Sequence, residues 1–220
     1  MRNTIIWLNA YKDAILDNLN PESITVYQFI QHRAQDKNND LTQDLLFQFV
    51  YRSYYRLDNA GLTDEFKARY FKLMQDRRED FKLDFEKTLL DLQKFKTRKG
   101  NESIQFSFTT KMFSTLNPVY PVYDREVAKM FDYHSIPQGD AAAKIKAYLL
   151  RYEVILKGYE QIVRENLLKD LLSAFDQKYP GHQLSDTKCL DFIFWSAGKI
   201  KTQLLKKAGT QQASMVETKL

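Results

Sequence analysis

The stretch DAAAKIKAYLLRYEVILKGYEQIV, residues 140–163, decides the fold class, because its apolar side chains recur every three or four residues. This spacing is that of an amphipathic helix, which follows a break at residues 136–139. We therefore predict a long central helix that bends or divides near Gly158. Its apolar stripe consists of Ile145, Leu149, Tyr152, Leu156, Tyr159 and Val163.

The rest of the chain repeats this pattern, with cap or turn residues at almost every break. We predict an all-α, compact multi-helix globular fold: residues 1–208 form one helical domain, or two lobes that meet near 100–124 around a cleft. The tail 209–220 is predicted to be flexible. We expect helices over about 4–18, 21–37 and 103–116, with caps at Asp40, Thr63 and Asp124 and a last helix from Ser185. The helix after Asp40 should bury Leu46, Val50, Tyr54 and Leu57.

The amino-acid composition limits the kinds of function that the chain is expected to have. Among 220 residues, 28% are charged and 14% aromatic, and the formal net charge is +5 with a pI near 9.0, which is compatible with nucleic-acid binding. Cys189 is the single cysteine, so the chain forms no internal disulfide and a reducing, cytoplasmic setting is expected. We expect no signal peptide, no membrane span and no membrane partner.

The sequence lacks the motifs of several common binding sites and enzymes. The chain has no G-K-[ST] or G-x-G-x-x-G sequence for nucleotide phosphates and no G-x-S-x-G nucleophile elbow. Its histidines, His32, His134 and His182, lack paired-ligand spacing. We therefore expect no cofactor and no metal.

The loop that leads into the helix after Asp124 carries the main functional prediction. Pro121 restricts the backbone of the loop, and Asp124 stands where an N-cap is expected, so its carboxylate should be held in place. A fixed carboxylate at a helix N-terminus is favoured in its ionised form and can stabilise positive charge on a sugar or orient a water. A purely structural cap explains the same position equally well.

The segment YPVYDREVAKMF, residues 120–131, resembles the catalytic-Asp segment of helix-hairpin-helix DNA glycosylases, especially the adenine glycosylase of mismatch repair. The resemblance covers about a dozen residues. It implies that Asp124 is catalytic and that DNA is the partner, with the target base flipped out of the duplex. Asn117, Tyr120 and Tyr123 are then candidates for holding the base, with ordinary packing as the alternative for both tyrosines. Phosphate contacts are expected from Lys111, Arg125 and Lys129.

The chain departs from that family at three points. The segment before Asp124 that should hold a glycine-rich hairpin, residues 103–111, contains no glycine. Lys111 lies only thirteen positions before Asp124, so a lyase role for it stays open. A cysteine-ligated cluster is impossible because Cys189 is alone.

Two basic groups are further nucleic-acid candidates. Lys96, Arg98 and Lys99 either contact phosphate or compensate the negative end of a helix. The run of residues 51–56 combines three tyrosines and two arginines that could stack on bases, although Tyr54 also belongs to a predicted core stripe.

Two functions follow from these patterns. The first is a DNA glycosylase-like enzyme that excises a damaged or modified base, in repair or in defence against foreign DNA. The second is a non-catalytic helical module that binds nucleic acid or protein, in which Asp124 is only a cap. An open, basic cavity at Asp124 would favour the enzyme.

Overall fold

The computed structural model describes the backbone of residues 1–80 and 82–217 and the side chains of residues 1–80 and 82–206. These residues form an all-α fold without a strand, as predicted. In chain order the helices are α1 (Arg2–Ala10), α2 (Lys12–Asp17), α3 (Pro21–Gln35), α4 (Leu45–Tyr55), a 3-10 turn (Leu57–Ala60), α5 (Asp64–Asp76), α6 (Phe85–Gln93), α7 (Phe106–Leu116), α8 (Arg125–Met130), α9 (Ala141–Arg164), α10 (Lys169–Lys178) and α11 (Asp186–Glu217).

Local cap chemistry explains where several helices begin. The side chains of Thr63, Asp124 and Asp140 each accept hydrogen bonds from backbone N–H groups in the first turn of α5, α8 and α9, which confirms the caps predicted at Thr63 and Asp124. Pro21 opens α3 at its first position, where a missing N–H costs nothing. These starts could be predicted because a cap depends only on residues within one turn.

Other boundaries differ from the prediction. The first predicted helix is divided at Tyr11 into α1 and α2, whereas α9 runs unbroken through Gly158. Asp40 does not cap α4; it holds a preceding turn, and Asp44 caps the helix by accepting from Phe47 N at 3.0 Å.

The buried face of α4 was predicted only in part. Leu57, just beyond the helix, is buried, and Val50 and Tyr54 are half-buried against the core, but Leu46 is 63% exposed. The fully packed residues of α4 are Phe47, Tyr51 and Tyr55, so apolar side chains lie on its exposed side as well.

Two hydrophobic clusters form the core. The first contains buried residues of α1, α2, α8, α9, α10 and α11. The second contains those of α4 and α5, with Met112 and Phe113 of α7. Tyr54, Phe85 and Tyr120 pack against both clusters and join them.

A close contact between α11 and α8 fixes the start of α8. Gly198 of α11 lies so near the backbone of Glu126 that a β-carbon there would be 2.3 Å from the Glu126 carbonyl oxygen. The glycine therefore lets α8 rest directly on α11.

The helix α11 extends into the predicted flexible tail. The predicted tail 209–220 overlaps the last residues of α11, whereas 218–220 and the side chains beyond Lys206 lie outside the described part. In the described residues, no helix combines the length and apolar character that crossing a bilayer requires.

Candidate functional site

A cavity of about 580 Å³ lies beside Asp124, at the place where segments distant in sequence converge. Its walls come from the α2–α3 junction, the C-terminal end of α4, α7, the loop before α8, and α11. A volume of this size is typical of a small-molecule or cofactor site. Its charged side chains are Arg56, Lys111, Asp124, Arg125, Glu126, Lys188, Asp191 and Lys199.

The two oxygens of Asp124 have different surroundings. Oδ1 accepts from Glu126 N at 2.8 Å and from Val127 N at 2.9 Å, which makes it the N-cap of α8. Oδ2 has no hydrogen-bond partner in the described part of the chain. One carboxylate can therefore cap the helix and still offer an oxygen to a ligand in the cavity. Burial raises the pKa of Asp124, and the N–H groups of Val127 and Glu126 and the charge of Lys111 oppose this.

Lys111 faces the same cavity from α7. Its ammonium lies 4.9 Å from the ring centre of Phe108 and 5.7 Å from that of Tyr55, so aromatic faces take the place of a direct ion pair. Burial lowers the pKa of Lys111, Asp124 raises it and Lys188 lowers it further. A lysine in this setting loses its proton more readily than a solvated one.

Lys188 and Asp191 form a buried ion pair in the wall of the cavity. Lys188 Nζ is 3.2 Å from Asp191 Oδ2, and both side chains are only 5% exposed. The other oxygen of Asp191 accepts from Val122 N at 2.9 Å, in the loop that leads to Asp124. Although burial opposes its charge, the facing Tyr55, Tyr27 and Asp191 raise the pKa of Lys188, so it stays cationic at neutral pH.

Basic and aromatic side chains surround the rest of the cavity. Lys199 Nζ lies 3.6 Å from the ring centre of Trp195, and Arg56 is close enough to lower the pKa of Lys199, second to burial. Arg56 adopts a left-handed backbone conformation, with φ 59°, that is uncommon outside glycine. Arg125 is exposed and pairs with Glu126 at 3.2 Å.

The cavity keeps an excess of positive charge after each ion pair is counted as neutral. Glu126 is paired with Arg125 and Lys129, and Asp191 is paired with Lys188. In the described residues this leaves Asp124 facing the unpaired cations of Arg56, Lys111 and Lys199. The cavity therefore suits a ligand that carries negative charge near an electron-poor centre.

The three predicted base-holding residues do not line this cavity. Asn117 closes a turn by accepting from Val119 N at 3.1 Å. Tyr120 packs against Phe85, with ring centres 5.6 Å apart, and Tyr123 packs against Phe106 at 5.2 Å. The packing alternative describes both tyrosines in this structure.

The predicted phosphate contacts are divided between two places. Lys111 and Arg125 line the cavity, while Lys129 binds Glu126 Oε2 and Thr202 Oγ1, each at 2.8 Å. Lys96, Arg98 and Lys99 lie in a tight turn after α6, closed by Thr97 N donating to Asn101 O at 2.9 Å, and none of them lines the cavity. Since α6 ends at Gln93, this turn lies beyond the helix end.

Several cavity residues were not singled out from the sequence. Asn18, Asn20, Trp195, Lys188 and Asp191 reach the site only through tertiary packing. One signal was available: Lys188 and Asp191 are charged and three residues apart in the otherwise apolar run 189–195 and its flank. The aromatic and basic run 51–56 supplies Tyr54, Tyr55 and Arg56 to the cavity.

Asp176, His182 and Cys189 form a second polar cluster, away from the cavity, whose potential ligand atoms lie within 4.8 Å of one another. His182 Nε2 is 2.9 Å from Asp176 Oδ1, and Nδ1 accepts from Leu184 N at 3.3 Å. Both ring nitrogens are thus engaged, and a metal would have to displace one of these bonds.

Comparisons of the chain with protein-family models, with curated proteins and with solved structures found no match. The function is therefore inferred from the residues of the site itself.

Proposed function

We propose that the protein is a DNA glycosylase-like enzyme that removes a damaged or modified base by breaking its N-glycosidic bond. The observation that carries this proposal is the pairing of a helix-fixed carboxylate, Asp124, with a half-buried lysine, Lys111, in one open cavity. The resemblance of residues 120–131 to the catalytic segment of helix-hairpin-helix glycosylases supports the same assignment.

Asp124 supplies the electrostatic part of the reaction. As the bond between C1′ and the base nitrogen breaks, the electron pair leaves with the base and positive charge develops on the sugar. Asp124 lines the cavity and its Oδ2 has no hydrogen-bond partner in the described residues, so it can stabilise this charge or orient a water that attacks C1′. The departing base takes up a proton from solvent, the attacking water gives one up to Asp124 or to solvent, and a free base and an abasic sugar result.

Lys111 has two roles open to it in this proposal. As a cation it would bind the phosphate beside the target nucleotide. As a free amine, which burial and Lys188 favour, it could attack C1′ in place of water. Borohydride separates these roles, because it traps only the covalent imine that an attacking amine forms.

The charge of the cavity supports DNA as the ligand. Arg56, Lys111 and Lys199 have no ion-pair partner in the described residues, and phosphodiester groups would neutralise them. Tyr54, Tyr55 and Trp195 add aromatic surface for a flipped base. The non-catalytic alternative needs Asp124 only as a cap, and it gives no role to the free Oδ2 or to Lys111.

The test compares the protein with two Asp-to-Asn variants on duplexes that contain oxidised, alkylated, deaminated or mispaired bases. Abasic sites are detected by cleavage of the product strand with alkali. We expect Asp124→Asn to abolish the product and Asp140→Asn, a matched N-cap away from the cavity, to leave it unchanged. Equal product from Asp124→Asn and wild type would overturn the catalytic assignment, and no product from any duplex would overturn the function.

A further inference from the structure

The loop before Asp124 is held at three consecutive residues by side chains from three helices. Tyr152 of α9 donates its hydroxyl to Pro121 O at 2.8 Å, and Asp191 of α11 accepts from Val122 N at 2.9 Å. Tyr123 N donates to Thr110 Oγ1 of α7 at 3.0 Å. The position of Asp124 is therefore set by these anchors as well as by its own cap.

Of these anchors, Asp191 alone is charged. Its partner Lys188 lies 4.0 Å from the ring centre of Tyr27 and 5.6 Å from that of Phe192, so the ion pair is enclosed by aromatic rings. A buried ion pair is often no more stabilising than apolar side chains of similar size. Stability alone does not account for two charges at this place.

Lys188 and Lys111 line the same cavity. The charged or titratable groups that face Lys111 are Asp124, Lys188 and Tyr55, and they come from the loop, from α11 and from α4. A neighbouring cation disfavours the protonated form of a lysine, which is a known way to produce a reactive amine. Asp124 acts in the opposite direction.

We propose that Lys188 and Asp191 are positioning residues for the site, with two separate tasks. Asp191 fixes the loop that carries Asp124 through its bond to Val122 N, and Lys188 places a second positive charge in the cavity that Lys111 also lines. The proposal rests on the proposed function for the reaction that this geometry serves. Its two physical tasks can be measured without DNA.

Two double variants separate the tasks. Lys188→Met/Asp191→Asn removes both charges, avoids leaving one charge buried alone, and keeps a carboxamide oxygen that can accept from Val122 N. Lys188→Met/Asp191→Leu removes the charges and the acceptor. The control is Arg69→Met/Asp91→Asn, which removes an ion pair between α5 and α6 that does not line the cavity.

The first readout is the pH dependence of acetylation of Lys111 by acetic anhydride, measured by mass spectrometry with exposed Lys99 as internal reference. Both Lys188 double variants should shift the Lys111 profile to higher pH and lower its reactivity at fixed pH by about threefold or more. The control should match wild type. A Lys111 profile unchanged in a folded Lys188→Met/Asp191→Asn protein would overturn the role of Lys188.

The second readout is hydrogen exchange at the Val122 amide. It should stay slow in Lys188→Met/Asp191→Asn and become at least tenfold faster in Lys188→Met/Asp191→Leu. Equal exchange in the two variants, or rapid exchange with Asn in place, would overturn the role of Asp191. If the Leu variant does not fold, Asp191→Ala measured against Asp191→Asn carries the same comparison.

Base excision is the third readout and distinguishes the two proposals. If wild type forms no abasic site, the proposed function fails, while the Lys111 profile and Val122 exchange still decide the positioning roles. If wild type is active and the profile of activity against pH moves together with that of Lys111, both proposals hold. An activity profile that does not move, in spite of a shifted Lys111, overturns the link between Lys188 and catalysis.

Discussion

Gly198 lies in direct contact with the backbone of Glu126, and a β-carbon at Gly198 would come within 2.3 Å of the Glu126 carbonyl oxygen. Glu126 is the second residue of α8, and its N–H is one of the two that hold Asp124 Oδ1. This glycine therefore positions the helix end on which the candidate carboxylate depends.

We expect Gly198→Ala to destabilise the protein by about 1–3 kcal/mol, because the added methyl meets backbone that can yield only if α8 moves. Urea unfolding measures this change. Gly158→Ala is the matched control, since that helical glycine faces the flexible terminal methyl of Met1 and a ring carbon of Phe131. A smaller loss for Gly198→Ala than for Gly158→Ala would contradict the contact.

The next prediction separates the two tasks of Asp124. Asparagine is as good an N-cap as aspartate, so Asp124→Asn should change the free energy of unfolding little, or increase it because a buried charge is removed. Asp124→Ala should lower it by about 1 kcal/mol through loss of the cap. Both variants should be inactive in base excision. If Asp124→Asn were active and Asp124→Ala inactive, activity would follow stability, and Asp124 would be only a cap.

Lys111 should make the free energy of unfolding depend on pH in the alkaline range. Burial lowers the pKa of Lys111, so between that pKa and the usual value of about 10.5 the unfolded chain binds more protons than the folded one. The contribution of Lys111 to stability therefore rises with pH across this window. Lys111→Met should be more stable than wild type at neutral pH and lose this slope, as urea unfolding from pH 7 to pH 10 would show. Lys99→Met, at an exposed position, should keep the wild-type slope.

DNA binding should depend on salt through the cations of the cavity. Each phosphate contact contributes about one unit to the slope of log affinity against log salt concentration. Arg56→Ala and Lys199→Ala should each reduce that slope by about one unit, measured by fluorescence anisotropy on a labelled duplex. Lys96→Ala, Arg98→Ala and Lys99→Ala test the other basic group. A reduced slope in these three, with Arg56→Ala unchanged, would place the DNA on the turn after α6.

The sequence predicted those features that depend on neighbouring residues. The caps predicted at Thr63 and Asp124 agree with the structure because each involves a single turn of chain. The face of α4 could not be read in the same way. Apolar residues surround that helix, and only packing against α3 and α5 decides that Tyr51 is buried while Leu46 is exposed.

The candidate site was predicted only in part for a related reason. Asp124 and Lys111 lie near each other in sequence and were both predicted, whereas Asn18, Lys188 and Trp195 reach the cavity from positions far along the chain. Tyr120 and Tyr123 were predicted to hold the base because they are close to Asp124 in sequence. In the structure, both side chains pack against the hydrophobic core instead.

The two hydrophobic clusters bear on how the protein would respond to heat or mutation. Tyr54, Tyr55 and Arg56 reach the cavity from the helix end that packs in one cluster, and Asp124 and Lys188 from elements that pack in the other. A substitution that loosens either cluster, however far from the cavity, would separate the two walls. Ligand binding should then fail before the helices melt, so temperature-sensitive variants are expected throughout the chain rather than only around Asp124.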